Sequence, residues 1–204
     1  MFLDHISDEL STAIRNALTT YRITQWGFVI FRCTYSSQEK WDKFLALLKE
    51  DVHNYFEWTA TEDVYDSMAW TIIEDADKLD SADIVETSRR FKDWVGNQGK
   101  QEMQGSVLSD AWHYYPRYIF FIHVDEESLE SVVDDVKARK EDGYFCKVVN
   151  ANMVLLNEPE RKIQDAKEDE DEDEDEVELR KHVKLDQVVL LFVTLLDLDS
   201  WFNI

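Results

Sequence analysis

Hydrophobic and polar positions alternate with two different periods along the first 150 residues. In the segment 7–21, apolar residues recur at helical spacing and predict an amphipathic helix. The segment 26–35 is apolar at most positions on both alternating faces, which is typical of a central strand covered on both sides. A second helix is predicted to follow, because Ser36 and Glu39 match the spacing of a capping box.

The same rhythm of strands and helices continues to residue 149. Asp125 is a favourable N-cap residue and marks the start of one of the helices. The remaining segments are predicted to be strands at 68–74, 117–124 and 144–149, helices at 81–95 and after Asp125, and loops at 75–80 and 96–109.

Two strand–helix–strand units, 26–74 and 117–149, indicate an α+β fold. Their similar rhythm resembles the duplicated split β-α-β units of a ferredoxin-like sandwich, here with an extra N-terminal helix. The apolar segment 187–196 is too short to cross a bilayer and is predicted to be an additional C-terminal strand of the same sheet. We therefore expect residues 1–204 to form a single α+β domain.

Nine consecutive acidic residues, 168–176, interrupt this pattern. The run cannot fold by itself, because adjacent like charges repel and it contains no apolar side chain to bury. We expect 158–182 to be a disordered acidic loop inserted before the last strand, since the cost of loop closure grows slowly with length. Two alternatives are docking to a basic protein and weak Ca²⁺ or Mg²⁺ binding without a formed cage.

The charge balance restricts the partners of the chain. It has 22 basic and 44 acidic residues and a net charge of −22, of which −13 remains without the acidic run. Such a surface repels phosphate backbones and anionic lipids, so we expect neither direct nucleic-acid binding nor a membrane partner. The N-terminal residues lack the features of a signal or transit peptide. We expect a soluble intracellular protein in the cytoplasm, with the nucleus as the alternative.

Four sequence blocks resemble a known group of proteins. They are the string 26–35 with Trp41, Phe44 and Leu45, the string 70–75, the residues Arg90, Phe91, Trp94 and Val95, and the string 121–125. Over residues 24–150 the chain resembles a large group of uncharacterised proteins of similar length in filamentous ascomycete fungi. The resemblance implies a fungal origin and a soluble α+β fold. It implies no activity and no catalytic residues.

The two cysteines, Cys33 and Cys146, lie in apolar segments and are predicted to be buried structural thiols, with a disulfide between them as the alternative. Their spacing matches no metal motif. The chain contains no order of Ser, His and Asp typical of a hydrolase, no Gly-rich phosphate loop and no His-Glu-x-x-His pattern. We therefore expect no cofactor and no metal site.

Polar residues near the strand ends are the candidate catalytic residues. Arg32 lies near the end of the first strand, His123 near the end of the third, and Glu74 at the end of the second. If the first and third strands are parallel neighbours and the second is an antiparallel neighbour, these three side chains meet at one edge. Such a cluster can bind an anion or transfer protons. The alternative is that they reach solvent or pair with each other.

An aromatic patch precedes Pro116. Trp112, His113, Tyr114 and Tyr115 can stack on a flat ligand, or they can simply pack in a loop or in the core.

Three functions remain open. The leading hypothesis is a non-catalytic binding or accessory protein with a protein or small-molecule partner. The second is a small α+β enzyme or ligand-binding protein for a fungal metabolite, with a homodimer as one alternative for its assembly, and the third is an acidic docking protein for basic partners. A closed apolar pocket lined by Trp70, Phe120, Arg32 and His123 would favour the second, and a fully covered sheet would favour the first.

Overall fold

One mixed sheet organises the fold. The computed structural model describes residues 2–57, 61–103, 114–133, 143–164 and 179–203. In this part of the chain the strands are β1 (Val29–Arg32), β2 (Ile72–Ile73), β3 (Phe120–Val124), β4 (Phe145–Asn150) and β5 (Arg180–Lys184). They lie in the order β2-β1-β3-β4-β5, with β1 parallel to β2 and β3, and with β4 antiparallel to β3 and β5.

Helices occupy most of the segments between the strands. Within the described ranges the α-helices are α1 (Phe2–Tyr21), α2 (Gln38–Glu57), α3 (Glu62–Asp66), α4 (Ala76–Leu79), α5 (Ile84–Trp94), α6 (Lys100–Glu102), α7 (Glu126–Ser131), α8 (Ala151–Gln164) and α9 (Val188–Thr194). A π-helical turn spans Val95–Gly99, and 3₁₀ turns span Pro116–Tyr118, Leu185–Gln187 and Leu198–Asn203. None of the helices in the described stretches is long and apolar enough to cross a membrane.

The sheet lies between two helical layers. On one face, Phe91 of α5 packs against Phe31 and Phe121, with ring centroids 6.4 and 5.1 Å away, and α8 packs beside α5. On the other face, Phe192 of α9 packs against Phe28, with ring centroids 5.2 Å apart. Because successive side chains of a strand point to opposite faces, β1 and β3 supply apolar residues to both layers. All residues of both strands are buried.

The expected α+β class is confirmed, but the ferredoxin-like arrangement is not. A ferredoxin-like unit places an antiparallel strand between the two strands of each β-α-β unit. In this protein β1 and β2 are direct parallel neighbours, and β3 lies parallel to β1 on its other side. The expectation of an antiparallel second strand was therefore wrong. Two helices, α2 and α3, connect β1 to β2, and this crossover carries the chain back to start a parallel strand.

The predicted C-terminal strand at 187–196 was wrong, because this segment forms α9. Val188, Leu191, Phe192 and Leu195 are buried, which is the i, i+3, i+4, i+7 spacing of one helix face. The fifth strand is instead β5, a polar segment whose first three residues, 180–182, were expected to belong to the acidic loop. It pairs with β4 along one edge, and its lysines suit an edge strand because charge discourages further pairing.

The predicted boundaries of the acidic loop also need correction. Its expected range, 158–182, overlaps the end of α8 and the start of β5. The acidic run itself, 168–176, lies outside the described residues, so its expected disorder stays a prediction.

The predicted loop at 96–109 begins as a continuation of α5. The π-helical turn and α6 extend the helix to Glu102, whose carboxylate accepts two hydrogen bonds of 2.9 Å from Arg117. Arg117 is completely buried and also donates to the Gly27 carbonyl and to Thr71. The need to neutralise this buried cation explains why the helix continues to Glu102.

A pair of alanine substitutions tests the helical character of α9. Phe192 is fully buried, whereas Leu190 is 46% exposed. We expect Phe192→Ala to reduce the free energy of unfolding by about 3–5 kcal/mol and Leu190→Ala to change it by less than about 1 kcal/mol, as measured by urea denaturation. In a strand, residues 190 and 192 would share a face, so equal losses would contradict the helix.

A replacement of equal length tests the independence of the fold from the acidic run. The helix α8 carries the chain about 20 Å away from Asn150, while β5 begins beside Val149. Deleting nine residues would leave only about 20 Å of extended chain to return from Gln164 to Leu179. We therefore replace 168–176 by nine Gly and Ser residues and expect an unchanged or slightly higher free energy of unfolding, because like-charge repulsion is removed.

Truncation after Asp165 is the matching negative control. It removes the buried residues Leu179, Val183, Phe192 and Trp201 and should abolish cooperative unfolding. Unfolding of the Gly/Ser variant would show instead that the acidic residues take part in the fold.

Candidate functional site

The carboxyl ends of β1 and β3 form the opening of a crevice. After β1 the chain crosses to β2 on one side, and after β3 it continues to β4 on the other side. Loops that leave neighbouring parallel strands in opposite directions leave a gap between them, and this is the usual ligand position in sheets with parallel strands. A cavity of about 990 Å³ lies at this position.

The wall of the cavity consists of the loop after β1, the loop before α5, the N-terminal parts of α5 and α7, and the strand residues His123 and Arg180. The lining residues that carry polar or reactive groups are Cys33, Thr34, Tyr35, Ser36, Asp80, Ser81, Asp83, Arg89, His123, Asp125, Glu126, Glu127 and Arg180. The lining therefore combines both signs of charge with a thiol and an imidazole.

The loop before α5 is held in an unusual backbone conformation. Ser81 has a φ of 59°, in the left-handed region that non-glycine residues rarely adopt. Its N–H donates a 3.0 Å hydrogen bond to the carbonyl of Cys33, so the loop is tied to the end of β1. Strained backbone of this kind is concentrated at functional sites.

Cys33 and His123 lie together at the base of the cavity. The thiol Sγ is 3.4 Å from Nδ1 of His123, and both side chains are at most 3% exposed. The register explains the contact: His123 is the partner of Phe31 in the β1–β3 pairing, and Cys33 follows Phe31 by two positions on the same face.

Thr87 of α5 extends this pair to the helix. Its hydroxyl lies 3.6 Å from Sγ of Cys33 and donates a 2.7 Å hydrogen bond to the carbonyl of Asp83. The Asp83 carboxylate accepts from the N–H of Glu86 at 2.7 Å and so caps α5. The chain of contacts therefore runs from His123 through Cys33 and Thr87 to the start of α5.

Burial keeps both members of the pair neutral. It raises the pKa of the Cys33 thiol to about 12 and lowers the pKa of His123 to about 4. The Asp125 carboxylate opposes the shift of His123, whereas Lys147 and Arg180 reinforce it. At neutral pH the site therefore holds a protonated thiol and an uncharged imidazole.

Lys147 fixes two of the carboxylates that follow β3. Lys147 is almost completely buried and contacts Asp125 and Glu127, each at 2.5 Å. Burial raises the pKa of Asp125, but the hydrogen bonds from Lys147 and the Ser128 N–H outweigh it, and the pKa is lowered. These contacts hold the wall of the cavity after β3 in place.

Glu126 bridges the two neighbouring loops. It accepts hydrogen bonds from Ser36 at 2.6 Å and from Thr34 at 2.5 Å, which lower its pKa, and Lys40 lies 3.7 Å away.

The predicted capping box of α2 does not use Ser36, because the hydroxyl of Ser36 donates to Glu126 and the residue lines the cavity. The hydroxyl of Ser37 caps α2 instead, since it accepts a hydrogen bond from the N–H of Lys40.

The predicted cluster of Arg32, Glu74 and His123 forms only in part. Arg32 contacts Glu74 at 3.2 Å, from a parallel strand neighbour. His123 lies on the opposite face of the sheet, because the register pairs Arg32 with Val124 and a shift of one residue reverses the face.

The guanidinium group of Arg32 forms hydrogen bonds and ring contacts with residues close to it in the chain. It donates to the carbonyl of Thr34 and to Gln38, each at 2.9 Å, and its guanidinium stacks 4.4 Å above Tyr35 and 5.0 Å above Trp41. It therefore holds the start of α2 against the sheet and does not line the cavity.

Other predicted site residues are dispersed. Trp70 lies near Lys49, and Phe120 packs on Trp201, so these two do not share a pocket with His123. In the aromatic patch, Tyr115 is buried against Tyr118 and Phe192, whereas Tyr114 is exposed. Trp112 and His113 lie outside the described residues.

The described residues show no cluster of three metal-ligating side chains. Both cysteines are buried and free, as the interpretation of structural thiols predicted, and the alternative of a disulfide between them was wrong.

Sequence reasoning missed Cys33 as a neighbour of His123, and it missed the loop 80–83. The signal for the first was available: alternation along 29–33 and 120–123 places Cys33 with Phe31, and His123 with Phe121. The loop 80–83 carries only common turn residues, and Arg180 lies just after the acidic run, so neither had a distinguishing pattern.

Comparison of the chain with protein-family models, with curated proteins and with solved structures found no significant match. The function must therefore be argued from the site itself.

The pH dependence of stability tests the environment of His123. Its pKa is about 4 in the folded state and about 6.5 in an unfolded chain, so unfolding takes up a proton between these values. This histidine therefore lowers stability as the pH falls from about 6.5 to 4, by on the order of 3 kcal/mol in total. We expect His123→Asn to flatten the pH dependence of the free energy of unfolding in this window.

Cys33→Ala is the control for that experiment. It removes a buried neutral group beside the imidazole and should lower stability at every pH while leaving the slope close to that of the wild type. The same slope in His123→Asn and in the wild type would show that the imidazole titrates normally.

Proposed function

We propose that this protein is a non-catalytic binding protein for a small polar molecule, which occupies the cavity at the carboxyl ends of β1 and β3. The single observation that carries the proposal is the position of the cavity, because it opens where the strand order reverses. Its volume of about 990 Å³ is in the range of small-molecule sites, at roughly 300–1,000 Å³.

The chemistry of the lining favours a polar ligand. Carboxylates, guanidinium groups and hydroxyls surround the cavity, and the aliphatic side chains Ala82, Ile84 and Val85 supply a limited apolar part of the wall. Because buried polar groups need partners, a ligand that fills this space must offer charged or hydrogen-bonding groups in return.

The neutral state of the Cys33–His123 pair favours binding over catalysis. A general base works best with a pKa near the operating pH, and a cysteine nucleophile needs a thiolate. The thiol has a pKa of about 12, so it is not a thiolate nucleophile at neutral pH, and the imidazole has a pKa of about 4, well below the value that suits a general base.

An enzyme is the second candidate, and the contact of 3.4 Å between thiol and imidazole is the observation in its favour. Turnover of a bound compound, lost in His123→Ala, would establish this alternative.

A blocked cavity provides the direct test. Ala82 lines the cavity, and Ala46 is an exposed alanine of α2 that does not. In a thermal-shift screen of metabolites, a saturating ligand at about 100 times its Kd adds about 2.7 kcal/mol and raises the Tm by about 5 °C or more. We expect such hits with the wild type and Ala46→Trp, and at least tenfold weaker binding with Ala82→Trp.

The Tm of each free variant is measured first, so that a loss of binding is not confused with unfolding. Hits that bind Ala82→Trp as strongly as Ala46→Trp would contradict a ligand site in this cavity. A screen in which no compound class gives a hit that depends on Ala82 would overturn the proposed function.

A further inference from the structure

The hydrogen-bond chain behind the cavity fixes the position of a proton on His123. Thr87 donates its hydroxyl proton to the carbonyl of Asp83, so only lone pairs of its oxygen remain to face Cys33. The thiol proton of Cys33 can then donate to Thr87, 3.6 Å away, and the sulfur can accept from Nδ1–H of His123, 3.4 Å away. In this direction each of the three groups is satisfied.

The reverse direction is less favourable. If the thiol donated to Nδ1, lone pairs of sulfur and of the Thr87 oxygen would face each other in a buried site, where an unpaired polar group is costly. The carbonyl of Phe31 is a more distant acceptor for the thiol, at 3.8 Å. The connected chain therefore selects the Nδ1–H tautomer of His123.

This tautomer leaves a lone pair on Nε2. The imidazole lines the cavity although its side chain is 97% buried, and no described residue forms a hydrogen bond with Nε2. The cavity thus contains a hydrogen-bond acceptor on a largely buried side chain, which an N–H or O–H donor of a ligand can meet.

The charges around the imidazole favour a cationic donor. Five carboxylates line the cavity, against the two guanidinium groups of Arg89 and Arg180. Lysines neutralise the carboxylates after β3, but within the described residues no lysine or arginine forms an ion pair with Asp80 or Asp83. The loop before α5 therefore supplies two carboxylates without an ion pair to a described lysine or arginine, of which Asp83 also caps α5.

We infer that the ligand of this cavity is a small organic ammonium compound whose N–H donates to Nε2 of His123 while Asp80 and Asp83 balance its charge. The inference rests on the proposed function and specifies the class of its ligand. The net charge of −22 further raises the local concentration of cations.

The tautomer is tested without any ligand. The ¹⁵N chemical shifts of the imidazole distinguish Nδ1–H from Nε2–H, and we expect Nδ1–H in the wild type. Thr87→Val removes the acceptor of the thiol proton, so the thiol turns to Nδ1 and the imidazole changes to Nε2–H. Ser88→Ala is the matched control, because Ser88 is the next buried hydroxyl of α5 and has no hydrogen-bond partner. An Nε2–H imidazole in the wild type would overturn the inference, even if Thr87→Val fails to fold.

The ligand class is tested with three probes of similar size. We expect n-butylammonium to shift the Nε2 resonance of His123 at millimolar concentration. The n-butyltrimethylammonium ion has the same charge but no N–H donor, and butyrate has the opposite charge, so neither should shift this resonance. Asp80→Asn should weaken the binding of n-butylammonium by up to about fivefold, whereas Asp77→Asn, an equal charge change outside the cavity, should not.

The outcomes separate this inference from the proposed function. If the Nε2 resonance responds equally to both cations, or to butyrate alone, the inference is wrong. If metabolites of another class bind in a manner that depends on Ala82 while n-butylammonium does not bind, the cavity is a ligand site for a different class. If nothing binds in a manner that depends on Ala82, both proposals fail.

Discussion

The coverage of β1 and β3 on both faces is the constraint on which the rest of the structure depends. Every residue of these strands is buried between two helical layers, so either face accepts a polar side chain only if it is paired. Arg32 meets this requirement through Glu74 and the α2 residues around it. His123 meets it through Cys33. The carboxyl end of the sheet is where the coverage ends, and the cavity lies there.

Some of the carboxylates of this acidic chain join neighbouring segments at the wall of the cavity. Glu126 in the first turn of α7 reaches the loop after β1 and Lys40 of α2, while Lys147 holds Asp125 in place. Lys147 is almost completely buried, which is tolerable because two carboxylates contact it. Among these contacts only the pair of Lys147 and Asp125 is largely buried, and it is therefore screened by salt less than a surface pair, whereas the side chains of Glu126 and Glu127 are about half exposed.

Periodicity predicted the body of the fold and misled at its C-terminal end. The apolar residues of 26–35 and 117–124 identified central strands because both faces are covered. The segment 188–194 is apolar at nearly every position, and such a run is compatible with a strand or a helix. The strand β5 was hard to predict for a different reason: Arg180, Lys181 and Lys184 make it polar, and its composition is that of a linker. Only its pairing with β4, a long-range interaction, makes it a strand.

The candidate site was less predictable than the fold because it depends on register. His123 could be selected from the sequence as a strand-end histidine, but its partner was taken to be Arg32. The offset of one residue between Arg32 and His123 decides which face each side chain occupies, and thereby which chemistry is available. With Arg32, the imidazole would have faced a cation and a carboxylate. With Cys33 and Thr87, it belongs to a neutral hydrogen-bond chain, so the site is better suited to recognising a donor than to moving a proton.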